Sequence, residues 1–197
     1  MNFLAHIYLS GNNERIQIGN FMGDGIRGKD YLHYHPDIQV GVLLHREIDT
    51  FTDAHPIFRQ SKYRLVPVYN HFSGIIVDMF YDHFLAKNWA KYSDVPLLTF
   101  TNQFYGALLC YHNELNDKTK HLIPYMTKNN WLYNYQSIDY LQMILKQMES
   151  RISHPSKMHE SVRELKLHYA EFETEFQLFF ADLSTFAHEK LNALLAE

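Results

Sequence analysis

Apolar side chains recur at helical rather than strand spacing along most of this chain of 197 residues. In "HPDIQVGVLLHREIDTFTD", apolar residues return every three or four positions, the pattern of a helix that packs one face against a core. That helix is predicted to begin at Pro36 or Asp37. Similar spacing predicts a helix after "AHP" and others at about 2–9, 13–22, 73–92, 96–112, 137–151 and 157–195. Asn2 is the predicted N-cap of the first helix, and "GDGIRG" is a predicted loop.

The turn-forming residues are sparse. Eight glycines and six prolines are too few for the frequent turns of an all-β fold. The predicted fold class is therefore all-α, a single-domain helical bundle that covers 1–197, a length that can bury a sizeable core. The aromatic stripe of the last helix is interpreted as core packing and not as a ligand site.

Composition also bears on the compartment. Cys110 is the only cysteine, so no intramolecular disulfide can form, which fits a reducing compartment, the cytoplasm by default. The first residues lack the basic leader and cleavage site of a signal peptide. Residues 95–113 carry no formal charge, but polar side chains interrupt them, which favours a buried helix over a membrane span. Burial of Cys110 in that helix would argue against cysteine catalysis.

Two carboxylate-bearing helices are the main candidates for chemistry. His45, Asp49 and Asp53 stand at i, i+4 and i+8, and Asp78 and Asp82 repeat the i, i+4 spacing. If the two helices face each other, four carboxylates converge on a small volume, and like charges at that range need a neutralising partner. A divalent cation is one such partner.

His6, on an otherwise apolar helix, and Asp24, between two glycines, could complete a set of metal ligands. Mixed histidine and carboxylate ligands suit Mn²⁺, Fe²⁺ or Zn²⁺, and the share of oxygen ligands favours Mn²⁺. Each residue also has an ordinary interpretation: Asp49 as the partner of Arg46 within the helix, the aspartates of the second helix as a solvated stripe, and His6 as a core histidine.

Four blocks in order, "MNFLAHIYLS", "GNFMGDGIRG", "GVLLHREIDTFTDAHP" and "SGIIVDMFYDHFLAKNW", resemble the acyl carrier protein phosphodiesterase family. The resemblance covers about the first ninety residues. It implies a manganese-dependent phosphohydrolase with an all-α fold distantly related to the HD phosphohydrolases, with Mg²⁺, Fe²⁺ or Zn²⁺ as other possible metals. Such an enzyme releases 4'-phosphopantetheine from the serine of holo acyl carrier protein. The chain lacks an adjacent His-Asp dipeptide and has Asp82-His83 in reversed order.

This reading assigns a role to each candidate residue. Arg46 is expected to face the substrate phosphate, Asp53 and His55 to position water or orient ligands, and His83 or His55 to protonate the leaving serine oxygen. The predicted metal ligands are His6, Asp24, His45, Asp49, Asp78 and Asp82.

Charge suggests how an acidic carrier could dock. Residues 1–92 contain nine Lys and Arg against nine Asp and Glu, and 93–197 contain nine against thirteen. If a metal site takes up four of the aspartates in the first half, the surface around it becomes basic. The strongest docking candidates are Arg27, Arg59 and Arg64, and the wider set adds Arg15, Lys29 and Lys62.

Other functions remain open from the sequence. One alternative is an HD-like metal phosphohydrolase that acts on a small nucleotide or phosphate ester, and another is a non-enzymatic helical interaction protein. No basic block or aromatic signature for nucleic-acid binding occurs, and neither nucleic acid nor membrane is an expected partner. The oligomeric state is left open.

Overall fold

A computed structural model describes residues 1–150 and 156–196, and these form α-helices and short 3-10 turns without a strand among them. The predicted all-α fold, a single helical domain, is confirmed. The helices are α1 Phe3–Leu9, α2 Glu14–Met22, α3 Pro36–Ala54, α4 Pro56–Tyr69, α5 Ser73–Lys87, α6 Leu97–Cys110, α7 Asp117–Lys128, α8 Trp131–Asn134, α9 Ile138–Glu149, α10 Val162–Leu167 and α11 Tyr169–Leu195.

In the first half of the chain, the bounds of the predicted helices are close to those of the observed helices. Asn13 caps α2 by accepting hydrogen bonds from the backbone N–H groups of Arg15 and Ile16, and α3 begins at Pro36. Asn2 occupies the N-cap position of α1, but its side chain makes no capping hydrogen bond. The cap comes instead from α5, where Asp82 accepts from backbone N–H groups at the start of α1.

The second half differs more from prediction. Helices α7 and α8 were not predicted, and the single helix expected over 157–195 is divided at His168 into α10 and α11. Residue 151, the last of another predicted helix, lies outside the described residues. Cys110 does lie at the end of α6, but it is exposed, so the prediction of a buried cysteine was wrong.

Close contact between backbones fixes α2 against α3. A Cβ added to Gly41 would lie 2.2 Å from the carbonyl oxygen of Ile16, and one added to Gly19 would lie 2.2 Å from that of Ile38. Only glycine permits this approach, which brings the turn after α2 next to the middle of α3. On its other side, α3 packs against the buried phenylalanines of α11.

No helix among the residues described is both long and apolar enough to cross a membrane. The predicted buried helix at 95–113 corresponds to α6, which packs Phe104 and Leu108 into the core.

Candidate metal centre

His6 lies on the buried face of α1 and is held in one orientation by a chain of hydrogen bonds. The Asn20 amide nitrogen donates to Ser10 Oγ at 2.8 Å, so the Asn20 amide oxygen faces His6 Nδ1 at 2.7 Å. Nδ1 therefore carries the proton, and in the neutral ring the lone pair lies on Nε2, which is also 3.1 Å from the Met1 carbonyl oxygen. Sequence reasoning did not single out Asn20, although it lies within the quoted block "GNFMGDGIRG".

His45 and Asp49, one turn apart on α3, lie beside that nitrogen. Asp49 Oδ1 is 3.3 Å from His6 Nε2, and Asp49 Oδ2 is 3.1 Å from His45 Nε2. The two imidazole rings stack with centroids 4.2 Å apart. Asp24, in the 3-10 turn Gly23–Gly25, places Oδ1 3.4 Å from His45 Nε2. The sequence-predicted residues His6, Asp24, His45 and Asp49 are thus brought together.

The charges of this cluster are strongly coupled. Burial, together with the nearby His45, lowers the pKa of His6 to about 4. Burial opposes protonation of His45 as well, but the Asp24 and Asp49 carboxylates outweigh it and raise the pKa of His45 to about 9. Burial would raise the pKa of Asp49, yet the two histidines hold it well below its usual value. A protonated His45 lies between these two carboxylates.

The donor atoms fit a divalent cation. His6, His45 and Asp49 each offer one ligand atom within 4.8 Å of the others, and two imidazole nitrogens with a carboxylate are a common donor set for Mn²⁺, Fe²⁺ and Zn²⁺. His45 Nδ1 is buried without a hydrogen-bond partner among the described residues, whereas Nε2 faces the carboxylates of Asp24 and Asp49.

The two aspartates of α5 occupy different places. Asp78 lies at the edge of the cluster, with Oδ1 3.0 Å from the amino group of Met1, which is in turn 3.9 Å from Asp49. Asp82 is fully buried and accepts hydrogen bonds from the backbone N–H groups of Leu4 at 2.8 Å and Ala5 at 3.1 Å. Its carboxylate is committed to the start of α1.

The structure does not bring all of the predicted catalytic residues to this cluster. Arg46 donates to the Ile26 carbonyl at 3.1 Å and lies over the Tyr31 ring. His55 Nε2 is 3.3 Å from an Asp182 carboxylate oxygen on α11. His83 is buried between the carbonyl of Tyr135 and the hydroxyl of Tyr169, at 2.8 Å from each. Asp53 lies in the cleft described below.

The predicted docking arginines also differ in their surroundings. Arg27 is exposed, and Arg59 is exposed and donates to the backbone carbonyl of Asp53 at 2.8 Å. Arg64 forms a two-pronged ion pair with the buried Glu175, at 2.6 and 2.8 Å. Arg64 therefore joins α4 to α11.

His45, Asp49 and Asp24 of the cluster line a cleft of about 1250 Å³. Asp53 and Asp78 line it as well, together with residues of α7 to α9. The lining residues from α7 to α9 are mostly apolar or basic, among them Lys118, Lys120, His121, Leu122, Trp131, Ile144 and Met148. A cleft of this size can hold an extended substrate whose charged end reaches the cluster.

Comparison with known proteins assigns this arrangement to a family. The family model described as acyl carrier protein phosphodiesterase matches residues 1–183. The chain belongs to the acyl carrier protein phosphodiesterase family. A relative with that name from Photorhabdus laumondii subsp. laumondii is 30% identical over 193 residues, covering 96% of each chain. Relatives of the same name from Salmonella paratyphi A and Enterobacter sp. strain 638 are each 29% identical over 191 residues, covering 96% of this chain and 99% of their own.

No solved structure matches the chain significantly. The predicted relationship to the HD phosphohydrolases therefore stays a prediction. The match to the family model extends well past the first ninety residues, which carry the resemblance seen in the sequence. It includes α7 to α9 and the part of the cleft that they line.

Proposed function

We propose that this protein is a metal-dependent phosphodiesterase that hydrolyses holo acyl carrier protein to apo carrier and 4'-phosphopantetheine. The observation that carries the proposal is the group His6, His45 and Asp49, of which His45 and Asp49 line a large cleft, in a chain that matches the acyl carrier protein phosphodiesterase family model over residues 1–183.

His6 Nε2, His45 Nε2 and Asp49 are the proposed metal ligands, with Asp24 and Asp78 beside them. The nearby carboxylate oxygens favour Mn²⁺ among the candidate metals. A divalent cation held there would polarise a phosphoryl oxygen and lower the pKa of a water molecule. Asn20 accepts a hydrogen bond from His6 Nδ1 and so keeps the lone pair of His6 on Nε2. In other metal sites a carboxylate or a backbone carbonyl orients the ligating histidine in this way.

The cleft supplies the remaining interactions with the substrate. The phosphodiester lies beside the carboxylates, and the pantetheine arm extends along the apolar residues Trp131 and Ile144. We expect Asp53, which is exposed and lines the cleft, to orient a water molecule for attack on phosphorus. As the new P–O bond forms, the bond from phosphorus to the serine oxygen breaks, and this oxygen leaves towards the carrier protein at the mouth of the cleft, where solvent water supplies its proton.

The test is to incubate holo carrier with purified protein and Mn²⁺ and to follow the carrier by mass spectrometry. We expect the carrier to lose the mass of phosphopantetheine, and expect no loss in chelator. Asp49→Asn should lower the rate more than about 100-fold, because even residues that only orient metal ligands cost 10- to 100-fold. Glu47→Gln, on α3 and paired with Lys190 at 3.0 Å, is the matched control.

The outcomes separate the alternatives. Turnover of small phosphate esters without any loss from the carrier would favour a small-molecule phosphohydrolase. A protein that neither retains metal nor acts on either substrate would favour the non-enzymatic interaction protein. Either result would overturn the proposal.

An acidic carrier as partner predicts a dependence on salt. Raising the ionic strength from 0.1 M to 1 M shortens the Debye length from about 10 Å to about 3 Å, so it should raise KM for the carrier more than KM for a small phosphodiester. Equal effects on both substrates would argue against electrostatic docking. A location in the cytoplasm, where the carrier would be met, stays a prediction.

A further inference from the structure

Both acidic and basic side chains line the cleft. Asp24, Asp49 and Asp78 come from the first half of the chain, and Lys118 and Lys120 come from α7. A phosphodiester anion that enters among three carboxylates is repelled unless positive charge faces it as well. The lysines of α7 are therefore the first place to look for groups that hold the substrate's phosphate.

Neither lysine is engaged elsewhere. Lys118 is exposed, Lys120 is half-buried, and neither forms a salt bridge with any residue described here. This contrasts with two of the arginines expected to meet the substrate or carrier, since Arg46 is bound to a backbone carbonyl and Arg64 is paired with Glu175. An unpaired ammonium in a cleft retains its full capacity to bind an anion.

Contacts with the Gly23–Gly25 turn place Lys118 near the metal cluster. A Cβ added to Gly25 would lie 3.4 Å from Lys118 Cδ and 2.8 Å from the Asn116 amide nitrogen, so the start of α7 packs on this turn. The Asn116 side chain also accepts a hydrogen bond from the Thr119 N–H at 2.8 Å, which fixes where α7 begins. After the neighbouring His45, the charge of Lys118 contributes to the lowered pKa of Asp24.

We propose that Lys118 and Lys120 bind the phosphodiester group of the substrate beside the metal cluster. The inference rests on the proposed function and names the protein cations that act on that same substrate. Lys118, which packs beside the turn carrying Asp24, contacts the phosphoryl oxygens, and Lys120 supports the same anion from further along α7. Both interactions strengthen as negative charge develops on the phosphoryl oxygens during hydrolysis.

The test compares Lys118→Gln, Lys120→Gln and Lys118→Arg with a control variant, Lys128→Gln. Lys128 is exposed on the last turn of the same helix and does not line the cleft. A hydrogen bond to a charged group contributes enough that we expect kcat/KM on holo carrier to fall about 10- to 100-fold for Lys118→Gln and less for Lys120→Gln. Lys118→Arg should recover part of the loss, and Lys128→Gln should remain within about twofold of the parent.

Binding measurements without turnover provide the second readout. Isothermal titration of the protein with free 4'-phosphopantetheine, and separately with inorganic phosphate, should give a Kd at least about tenfold higher for Lys118→Gln, with Mn²⁺ content and melting temperature unchanged. Because both lysines are at the surface, the variants should fold.

The results distinguish the two proposals. If the parent protein hydrolyses the carrier and both glutamine variants keep its kcat/KM and phosphate affinity, the assignment of the lysines is wrong and the proposed function stands. If the parent protein does not act on the carrier, the proposed function fails. In that case an unchanged phosphate Kd in Lys118→Gln would overturn the lysine assignment too, and a raised Kd would support it.

Discussion

Gly23 determines how closely the turn after α2 approaches the imidazole ring of His45. A Cβ at this position would lie 2.2 Å from His45 Cγ and 2.5 Å from Cδ2. The close contact between turn and ring therefore requires a residue without a side chain. It also helps to hold the buried His45 ring against α3, with Nε2 directed at the carboxylates of Asp24 and Asp49.

Gly23→Ala should displace the His45 ring. We expect the Kd for Mn²⁺ to rise at least about tenfold and the free energy of unfolding to fall by about 1–3 kcal/mol, the usual cost of overpacking. Gly106→Ala is the control, since a Cβ there meets nothing within 4 Å and alanine at this exposed position of α6 favours the helix by up to about 1 kcal/mol. Metal titration and denaturant unfolding measure the two effects; an unchanged Kd in Gly23→Ala would contradict the role given to this contact.

Asp82 shows how burial changes the role of a carboxylate. Burial raises the pKa of Asp82 to about 7, although hydrogen bonds from Leu4 and Ala5 oppose the rise. A group whose pKa is higher in the folded than in the unfolded protein binds more protons when folded. Its contribution to stability therefore decreases as pH rises from about 4 to about 7.

Asp82→Asn should remove this pH dependence. The metal-free parent should lose up to about 4 kcal/mol of stability relative to the variant between pH 4 and pH 7. His6, whose pKa is lowered to about 4, has the opposite effect over that range, so the difference between parent and variant isolates Asp82. Denaturant unfolding at several pH values measures it. A difference that does not change with pH would mean that Asp82 is ionised throughout in the folded protein.

The sequence could predict part of the candidate site because helical spacing is local. The i, i+4 positions of His45 and Asp49 ensure that both side chains lie on one face of α3. The same spacing cannot distinguish Asp78, at the edge of the cleft, from Asp82, which caps α1. That difference depends on which neighbouring helix faces each residue. Nor could spacing identify Asn20, whose role follows from its contacts with His6 and Ser10.

Among the helices, α3 and α5 were predicted and α7 and α8 were not. An apolar face is not the difference, because α7 also buries one side, at Thr119, Ile123 and Met126. Helix α7 has Pro124 in its interior and three lysines, so it was overlooked although Asn116 and Asp117 are suitable residues for its first turn. Because α7 was missed, Lys118 and Lys120 were not among the site residues predicted from the sequence.

Arg64 tests whether a basic residue of α4 joins helices or docks the carrier. Its partner Glu175 is only 6% exposed and also accepts hydrogen bonds from Ser61 and Gln60. Arg64→Ala would leave this carboxylate without its cation, so we expect a loss of about 2–4 kcal/mol, less than for a fully buried pair because Arg64 is partly exposed.

The exposed Arg59, on the same helix, is the comparison for Arg64. Arg59→Ala should change the free energy of unfolding by less than about 1 kcal/mol. Thermal unfolding of both variants decides the matter. If Arg64→Ala keeps the melting temperature of the parent but raises KM for the carrier, then the docking role predicted from the sequence is correct.

In the molecule as a whole, the core does not depend on the metal cluster. Phe172, Phe176, Phe179 and Phe180 of α11 are buried among aromatic rings from α4 and α5. Apolar burial of this kind is the dominant stabilising term in folding. The cluster lies at the edge of that core, against the cleft.

Chelation should therefore stop hydrolysis while the protein remains folded. We expect the far-ultraviolet circular dichroism to be unchanged in chelator. Mn²⁺ at about 100 times its Kd should add only about 2.7 kcal/mol to the free energy of unfolding. Activity and melting temperature, measured across one Mn²⁺ titration, provide the check. Loss of helical signal in chelator under mild conditions would instead assign the metal a structural role.

The acidic and basic side chains that line the cleft come from separate stretches of the chain, with the carboxylates before residue 79 and the lysines after residue 117. Substitutions in one stretch can therefore change which metal binds without changing which substrate is preferred, and the reverse. A chimera that receives the segment from Asn116 to Asn134 from a relative should keep the metal affinity of this protein and acquire the substrate preference of the donor. The fold thus offers a site for engineering selectivity in which the hydrolytic machinery need not be altered.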